Sequence, residues 1–282
     1  MNLILQDYSH TYSLPTLLLN SLSSPLLPCC IKFDSLGNIL AAGTIVGDIV
    51  VWDMDTLMVS YSLRGHASSV SALSFSNDSK YLLSSSQDWN LILWDLYTQA
   101  IVYKIPFDSP MLSACIHPTD PFKFLAIGEF AWHISVHDQE IRRSKLFYPE
   151  MSITDLPCCI KYDLEGTKIY ISTTKGEFII LSQDLKLLNR IKVASKSIVG
   201  FTFSLQEYEK KEKQFELIVN SSDGIVRLFE IVDNSLIYKT KFVESVEKIR
   251  WIDIGFSNLN DYVISGSSAN NCHNMYPFVL IY

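Results

Sequence analysis

Residues 65–96 read GHASSVSALSFSNDSKYLLSSSQDWNLILWDL. Apolar and small polar residues alternate in VSALSF (70–75), and YLLSSS (81–86) and LILWDL (91–96) follow as two further strand-length runs. Between these runs lie SNDS and QDWN, short polar segments suited to tight turns. Period-two alternation with Asn/Asp punctuation predicts three antiparallel strands joined by hairpins. The stretch also holds histidine, serine and aspartate, which raises a second question. They either form a reactive triad or brace a scaffold.

The rest of the chain repeats this grammar. LPCCIKFD (27–34) returns as LPCCIKYD (156–163), an offset of 129 residues, or three units of 43. DIVVWD ends in Trp52-Asp53 and LILWDL carries Trp94-Asp95. HISVHD sets His137-Asp138 at the corresponding place, EFIILS sets Leu181-Ser182 there, and IVRLFE sets Phe229-Glu230. A sixth unit runs from about Val246 through FSNLNDYVISGSS. Units of roughly 40–45 residues, each with three clear strands and a variable fourth, predict an all-β WD-repeat β-propeller. A lone four-stranded sheet cannot cover both of its faces, and stacking around an axis covers them. The expected architecture is six recognisable blades with a seventh missing or truncated. Blades begin near residues 28, 69, 110, 156, 197 and 246 of a propeller spanning 28–282. Residues 1–27 are expected to form a strand and loop that join the last blade.

Within residues 65–96, Gly65-His66 precedes Asp88 by about one hairpin, and Trp94 follows on the third strand. This G-H…D…W-D set resembles the WD-repeat pattern, in which histidine, aspartate, a strand hydroxyl and the indole N–H form one hydrogen-bond chain. A buried imidazole and indole need such partners. A hydrolase would need an exposed nucleophile, an oxyanion hole and a G-x-S-x-G elbow, and no elbow is present. His66, Asp88 and Trp94 therefore read as a structural brace. No catalytic residue, cofactor site or metal site is expected. Only the second unit carries the whole set; the first has Asp48 and Trp52-Asp53 without a preceding Gly-His.

Bulk properties agree. The chain is 48% apolar and 19% charged, the balance of an ordered globular protein. A net charge of −7 disfavours general nucleic-acid binding. Six cysteines, four of them in adjacent pairs, show no zinc spacing and read as free thiols packed in strands of an intracellular protein. No apolar run reaches transmembrane length, and the leucine-rich start lacks the basic flank of a signal peptide. Neither a membrane nor a small-molecule substrate is expected as a partner. EYEKKEKQFE (207–216) reads as a solvated loop, and His117-Pro118 as turn chemistry.

Several stretches carry a more specific likeness. These are the start MNLILQD, the run GHASSVSALSFSNDSKYLLSSSQDWNLILWDL, the third-unit opening FDSPMLSACIHPTDP, and FSNLNDYVISGSS. Together they resemble the retinoblastoma-binding-protein-5/Swd1 type of WD-repeat subunit of COMPASS/MLL histone methyltransferase complexes. The likeness runs from Met1 to about Tyr276 and is weakest in the fourth and fifth units. It implies a non-catalytic nuclear scaffold for a SET-domain methyltransferase acting on histone H3 lysine-4. Implied partners are that methyltransferase, Ash2-type and WDR-type subunits, and the nucleosome. Arg227 in DGIVRLF, and more loosely Arg250 in EKIRWID, match positions that touch nucleosomal DNA in that family. The alternative is a generic WD-repeat adaptor in another assembly. The chain departs from the family pattern after Tyr276, where PFVLIY stands in place of Ile-Trp and a further blade. Pro277 there is unfavourable inside a central strand.

Overall fold

The computed structural model describes residue 22 and residues 26–137, 139–146, 155–207, 213–243, 254–256, 263–267 and 278–281. They form a series of antiparallel meanders. The first blade comprises β1 (Pro28–Phe33), β2 (Ile39–Thr44), β3 (Ile49–Asp53) and β4 (Met58–Leu63). The second comprises β5 (Val70–Phe75), β6 (Tyr81–Ser86), β7 (Asn90–Asp95) and β8 (Ala100–Pro106). The third comprises β9 (Ser113–Ile116), β10 (Lys123–Ile127), β11 (Ala131–His137) and β12 (Glu140–Leu146). The fourth comprises β13 (Pro157–Tyr162), β14 (Lys168–Thr173), β15 (Glu177–Ser182) and β16 (Leu187–Lys192). The fifth comprises β17 (Ile198–Glu207), β18 (Lys213–Ser221), β19 (Ile225–Val232) and β20 (Ser235–Val243). Last come β21 (Ile254–Phe256), β22 (Val263–Ser267) and β23 (Phe278–Ile281) in a three-stranded sheet.

The expected six blades are thus corrected to five complete ones. The sixth unit was recognised by a single strong strand, DYVISGSS, and has no tryptophan-bearing third strand. Its described residues form only a three-stranded sheet. PFVLIY contributes to that sheet, because β23 starts directly after Pro277 and pairs with β22 from Ser267↔Phe278 to Ile264↔Ile281. The expected role of residues 1–27 lies almost wholly outside the described residues. Leu22 does pack on the face of blade one that carries Leu40, Ala42, Val50 and Trp52.

Consecutive blades stack face to face, and each interface is a separate apolar cluster. Ile49 and Val51 of blade one meet Val70, Leu82, Ile92 and Trp94 of blade two. Leu91 and Leu93 meet Phe124, Ile134 and Val136 of blade three. Leu125 and Ile127 meet Ile160, Tyr162 and Ile179 of blade four. Tyr170 and Phe178 meet Phe201, Val219 and Phe229 of blade five. Alternate residues of the second and third strands point to opposite faces. Both faces are buried, so these strands read as continuous apolar runs.

Turn chemistry joins the strands. Asp53 and Asp95, the aspartates of the two Trp-Asp pairs, each accept two backbone N–H groups from residues two and three positions on. The W-D aspartate is therefore a turn-former. EYEKKEKQFE departs from the expected loop at its ends. The β17–β18 ladder extends to Glu207↔Lys213, and only residues 208–212 lie outside the description.

Candidate functional site

The brace in blade two is complete. Trp94 Nε1–H donates to Ser84 Oγ at 2.8 Å, and Ser84 Oγ lies 2.7 Å from His66 Nε2. His66 Nδ1 lies 3.0 Å from Asp88 Oδ2, which also accepts the Ala67 N–H at 2.9 Å. A carboxylate only accepts, so Nδ1 carries the imidazole proton and Nε2 accepts the serine hydroxyl. One direction of donation then runs from indole to hydroxyl to imidazole to carboxylate. Burial holds the His66 pKa below its ordinary value, outweighing the pull of Asp88. For Asp88, burial pushes upward, and the Ala67 N–H with His66 overcomes it to give a lowered pKa.

These atoms repeat the connectivity of a catalytic triad without its access. Ser84 is fully buried, and its oxygen already receives the Trp94 proton. A nucleophile must face a cleft with an oxyanion hole beside it. What the arrangement does is tie the connector between blades one and two to the sheet of blade two.

The same positions are filled differently elsewhere. Trp52, Leu181 and Phe229 are buried at the places expected for them. In blade three the expected match was His137, but Val136 packs into the interface and His137 is exposed. The repeat is displaced there by one residue, which exchanges the two faces of a strand. Ser84 lies opposite Ile92, and the corresponding pairs are Ala42 opposite Val50 and Phe124 opposite Ile134, so those blades have no hydroxyl at that site.

Arg227 lies on β19 opposite Val219. Its guanidinium donates to Asp223 Oδ2 at 2.7 Å and to Ser221 Oγ at 2.6 Å, and its side chain is 14% exposed. Burial of Asp223 works against ionisation, but the Arg227 and Ser221 hydrogen bonds win and hold its pKa at about 2. This candidate DNA contact is already paired within its own blade. Arg250 lies outside the described residues.

A set of contacts that the sequence reading missed sits on the outer strands. Lys104 pairs opposite Ile92, Arg143 opposite Ile134, and Arg190 opposite Ile179, equivalent places in blades two, three and four. Each cation reaches back to the chain that leads into its blade, Arg143 to the last residue of β8. Lys104 Nζ donates to the Gly65 carbonyl at 3.1 Å and Arg143 to the Pro106 carbonyl at 2.7 Å. Arg190 donates to Asp155 at 2.7 Å and to Glu177 at 2.7 Å, and Lys175 stands 3.4 Å from the same buried Asp155. Aligning the outer strands on the third-strand isoleucines would have revealed the repeated cation. His117 makes a similar tie. Its Nε2–H donates to the Gly166 carbonyl at 3.1 Å, and its ring meets Tyr162 edge-on. Gly166 (φ +77°) has no room for a side chain there, since a Cβ would lie 2.5 Å from the imidazole.

Charge is segregated by these ties. The outer strands carry Lys104 on β8, Arg142, Arg143 and Lys145 on β12, Arg190 and Lys192 on β16, and Lys239 and Lys241 on β20. Glu140 is the one carboxylate on them. The five described cysteines are free thiols, and no group of metal-ligating side chains occurs among the described residues.

With this geometry in hand, comparison with known proteins is informative. Residues 58–95, the last strand of blade one and the first three strands of the braced blade two, match the WD domain, G-beta repeat family. The chain is 29% identical over 250 residues to Set1 complex component swd1 of Schizosaccharomyces pombe, covering 83% of this chain and 61% of that protein. It is 27% identical over 271 residues to retinoblastoma-binding-like protein E of Dictyostelium discoideum, covering 88% and 51%. The crystal structure of the Cps50 (Swd1) β-propeller domain of Myceliophteria thermophila superposes with a TM-score of 0.79 at 26% identity, over 94% of this chain and 85% of that one. Over most of its length this chain is similar to proteins named for Swd1 and for retinoblastoma-binding protein 5. It spans between half and about three-fifths of the length of the two relatives named. The Swd1 likeness covers the braced and the unbraced blades alike.

Proposed function

We propose that this chain is a non-catalytic scaffold subunit of a SET-domain histone H3 lysine-4 methyltransferase complex. The observation that carries the reading is the extent of the likeness. It runs through 94% of the chain against a Swd1 propeller, well beyond the single repeat that any WD protein shares. The polar constellations support a scaffold rather than an enzyme. His66, Ser84, Asp88 and Trp94 are hydrogen-bonded to one another, and Lys104, Arg143 and Arg190 to groups of their own blade or of the chain leading into it. The SET-domain subunit would supply the methyl-transfer chemistry. The propeller would hold it, together with Ash2-type and WDR-type subunits, against the nucleosome in the nucleus. A phosphate contact by Arg227 would require its ion pair with Asp223 to open, so any nucleosome contact is expected to rest on other cations.

The test is purification of the tagged protein from its own cells, with mass spectrometry of what accompanies it. Enrichment of a SET-domain methyltransferase and an Ash2-type subunit supports the reading. Enrichment of a different stable assembly without a methyltransferase would overturn it in favour of a general WD-repeat adaptor.

A further inference from the structure

We infer that β12, the outer edge of blade three, is a docking edge for an acidic peptide that adds to the sheet as a fifth strand. Arg142, Arg143 and Lys145 fall within four residues of this strand, and among the described residues no strand pairs with its outer side.

The outer strands differ in how their cations are neutralised. On β16, Arg190 is paired with Asp155 and Glu177. On β20, Lys239 is paired with Glu216 and Glu230. On β12 the partners are almost all uncharged. Arg143 donates to a carbonyl and lies over the Phe107 ring, and Lys145 lies over the Phe130 ring. Among the described residues, only Glu140 faces these cations, 3.6 Å from Arg142, and both members of that pair are more than 70% exposed. In a chain of net charge −7, this strand is a local excess of positive charge. Carbonyl and ring contacts position Arg143 and Lys145 without cancelling their charge, so less side-chain freedom is lost when an anion arrives.

The spacing suits a peptide strand better than a nucleic-acid backbone. The three residues lie along one strand and span about 10 Å at a strand rise of about 3.3 Å per residue. An antiparallel partner strand places one residue opposite each of them, where opposite charges attract across the pair. Arg143 and Lys145 point to one face and Arg142 to the other. A matching segment therefore carries acids at successive positions rather than at every second one. The free backbone groups of the edge supply affinity, and the cations supply selectivity and register. Lysine on an edge strand also discourages self-pairing. Admitting an acidic strand while repelling a second copy of β12 is the same electrostatic preference.

The experiment uses the whole chain. The probe is a fluorescein-labelled decapeptide of aspartate, glutamate and valine blocked at both ends, followed by fluorescence anisotropy. Three comparisons accompany it: the same peptide with alternate backbone amides N-methylated, its lysine counterpart, and a 20-nucleotide single-stranded DNA as competitor. The acidic peptide should bind and the lysine peptide should not. N-methylation should weaken binding at least tenfold, and amide exchange should slow across residues 140–146. R142E/K145E, which leaves the Arg143 tie intact, should lose at least tenfold in affinity at an unchanged melting temperature. K192E on the neighbouring outer strand should bind as the parent does. Equal binding of the N-methylated peptide, undiminished binding by R142E/K145E, or DNA displacing the peptide at concentrations below the peptide's own Kd would each overturn the inference. The inference stands independently of the assembly proposed above.

Discussion

Two strands of this propeller are nearly the same peptide in different surroundings. LPCCIKFD makes β1 and LPCCIKYD makes β13. Both ladders shift register by one residue at the same place, between Pro28 and Cys30 and between Pro157 and Cys159. Local sequence thus determines strand, bulge and face in both copies. Burial differs completely. Ile160 is 0% and Tyr162 4% exposed, because Leu125, Ile127 and Leu146 of blade three lie against them. Ile31 and Phe33, their counterparts, are 53% and 42% exposed. An identical isoleucine is core in one blade and exposed in the other, and among the described residues the difference lies in the neighbouring blade that covers Ile160.

The largest effect should come from truncating that isoleucine. Ile160→Ala removes three carbons from a sealed interface and should cost about 2–5 kcal/mol of unfolding free energy. Ile31→Ala should cost less than about 0.5 kcal/mol, the range of surface changes. Chemical denaturation followed by tryptophan fluorescence measures both. Equal losses would mean that β1 is covered in solution as β13 is, and the comparison would fail.

The outer-strand ties offer a second contrast. Arg190→Met strips the buried Asp155 of its closest cation and leaves it Lys175 at 3.4 Å, so a loss of about 2–3 kcal/mol is expected. Lys104→Met removes only a hydrogen bond to a carbonyl at an exposed site, with an expected loss of about 0.5 kcal/mol or less. Should Lys104→Met prove as damaging as Arg190→Met, the ties would act through geometry common to the blades rather than through the buried carboxylate.

The fold class was legible because its signal is periodic. Turn residues and alternating strands recur at intervals that no helical pattern imitates. The brace was legible because His66, Asp88 and Trp94 lie at fixed separations within one repeat. What escaped depends on neighbours. Nothing in LPCCIKFD reveals that Ile31 lacks the cover given to Ile160. His137 was matched to Trp94 because HISVHD fits the repeat in either of two registers, and only packing selects Val136. Arg190 and Asp155 are 35 residues apart, and their contact follows from the blade's return path. Arg227 was read as reaching outward because an acid four residues earlier is ordinary turn chemistry until the side chains are placed. The sixth unit was overcounted because one good strand resembles a repeat, whereas a blade needs four.

Within the brace, His66→Ala should cost about 1–3 kcal/mol, since Asp88 and Ser84 both lose a partner in a buried site. Ser84→Ala should cost a similar amount. The double variant should fall short of the sum, because both single changes break the same chain of hydrogen bonds. Full additivity in a double-mutant cycle would show that the contacts are independent and that no brace exists.

The smallest effect is a pH dependence that separates blade two from blade five. Burial lowers the His66 pKa below its ordinary 6.5, so the unfolded chain takes up a proton more readily there. Stability contributed by neutral His66 is therefore present at pH 7 and declines as pH falls below about 6.5, levelling once the folded imidazole also protonates. Half-buried His133, whose pKa desolvation also lowers, acts in the same direction, so His66→Gln should flatten part of the slope and not all of it. Asp223 behaves at another range. Its pKa of about 2 lies below the ordinary 3.8, so its ion pair with Arg227 stabilises fully above that value and is lost between pH 3.8 and 2. Melting temperatures from pH 8 to pH 5 should thus fall in the parent and in Asp223→Asn with the same slope, and fall less in His66→Gln. A slope unchanged in His66→Gln would mean that the imidazole titrates alike in the folded and unfolded chain, as a solvated group does. A steeper fall in His66→Gln would mean that the imidazole is already charged in the folded protein, and donation through Ser84 would then be reversed, with His66 Nε2–H donating to the hydroxyl and the hydroxyl proton turning to the Ile92 carbonyl 3.3 Å away.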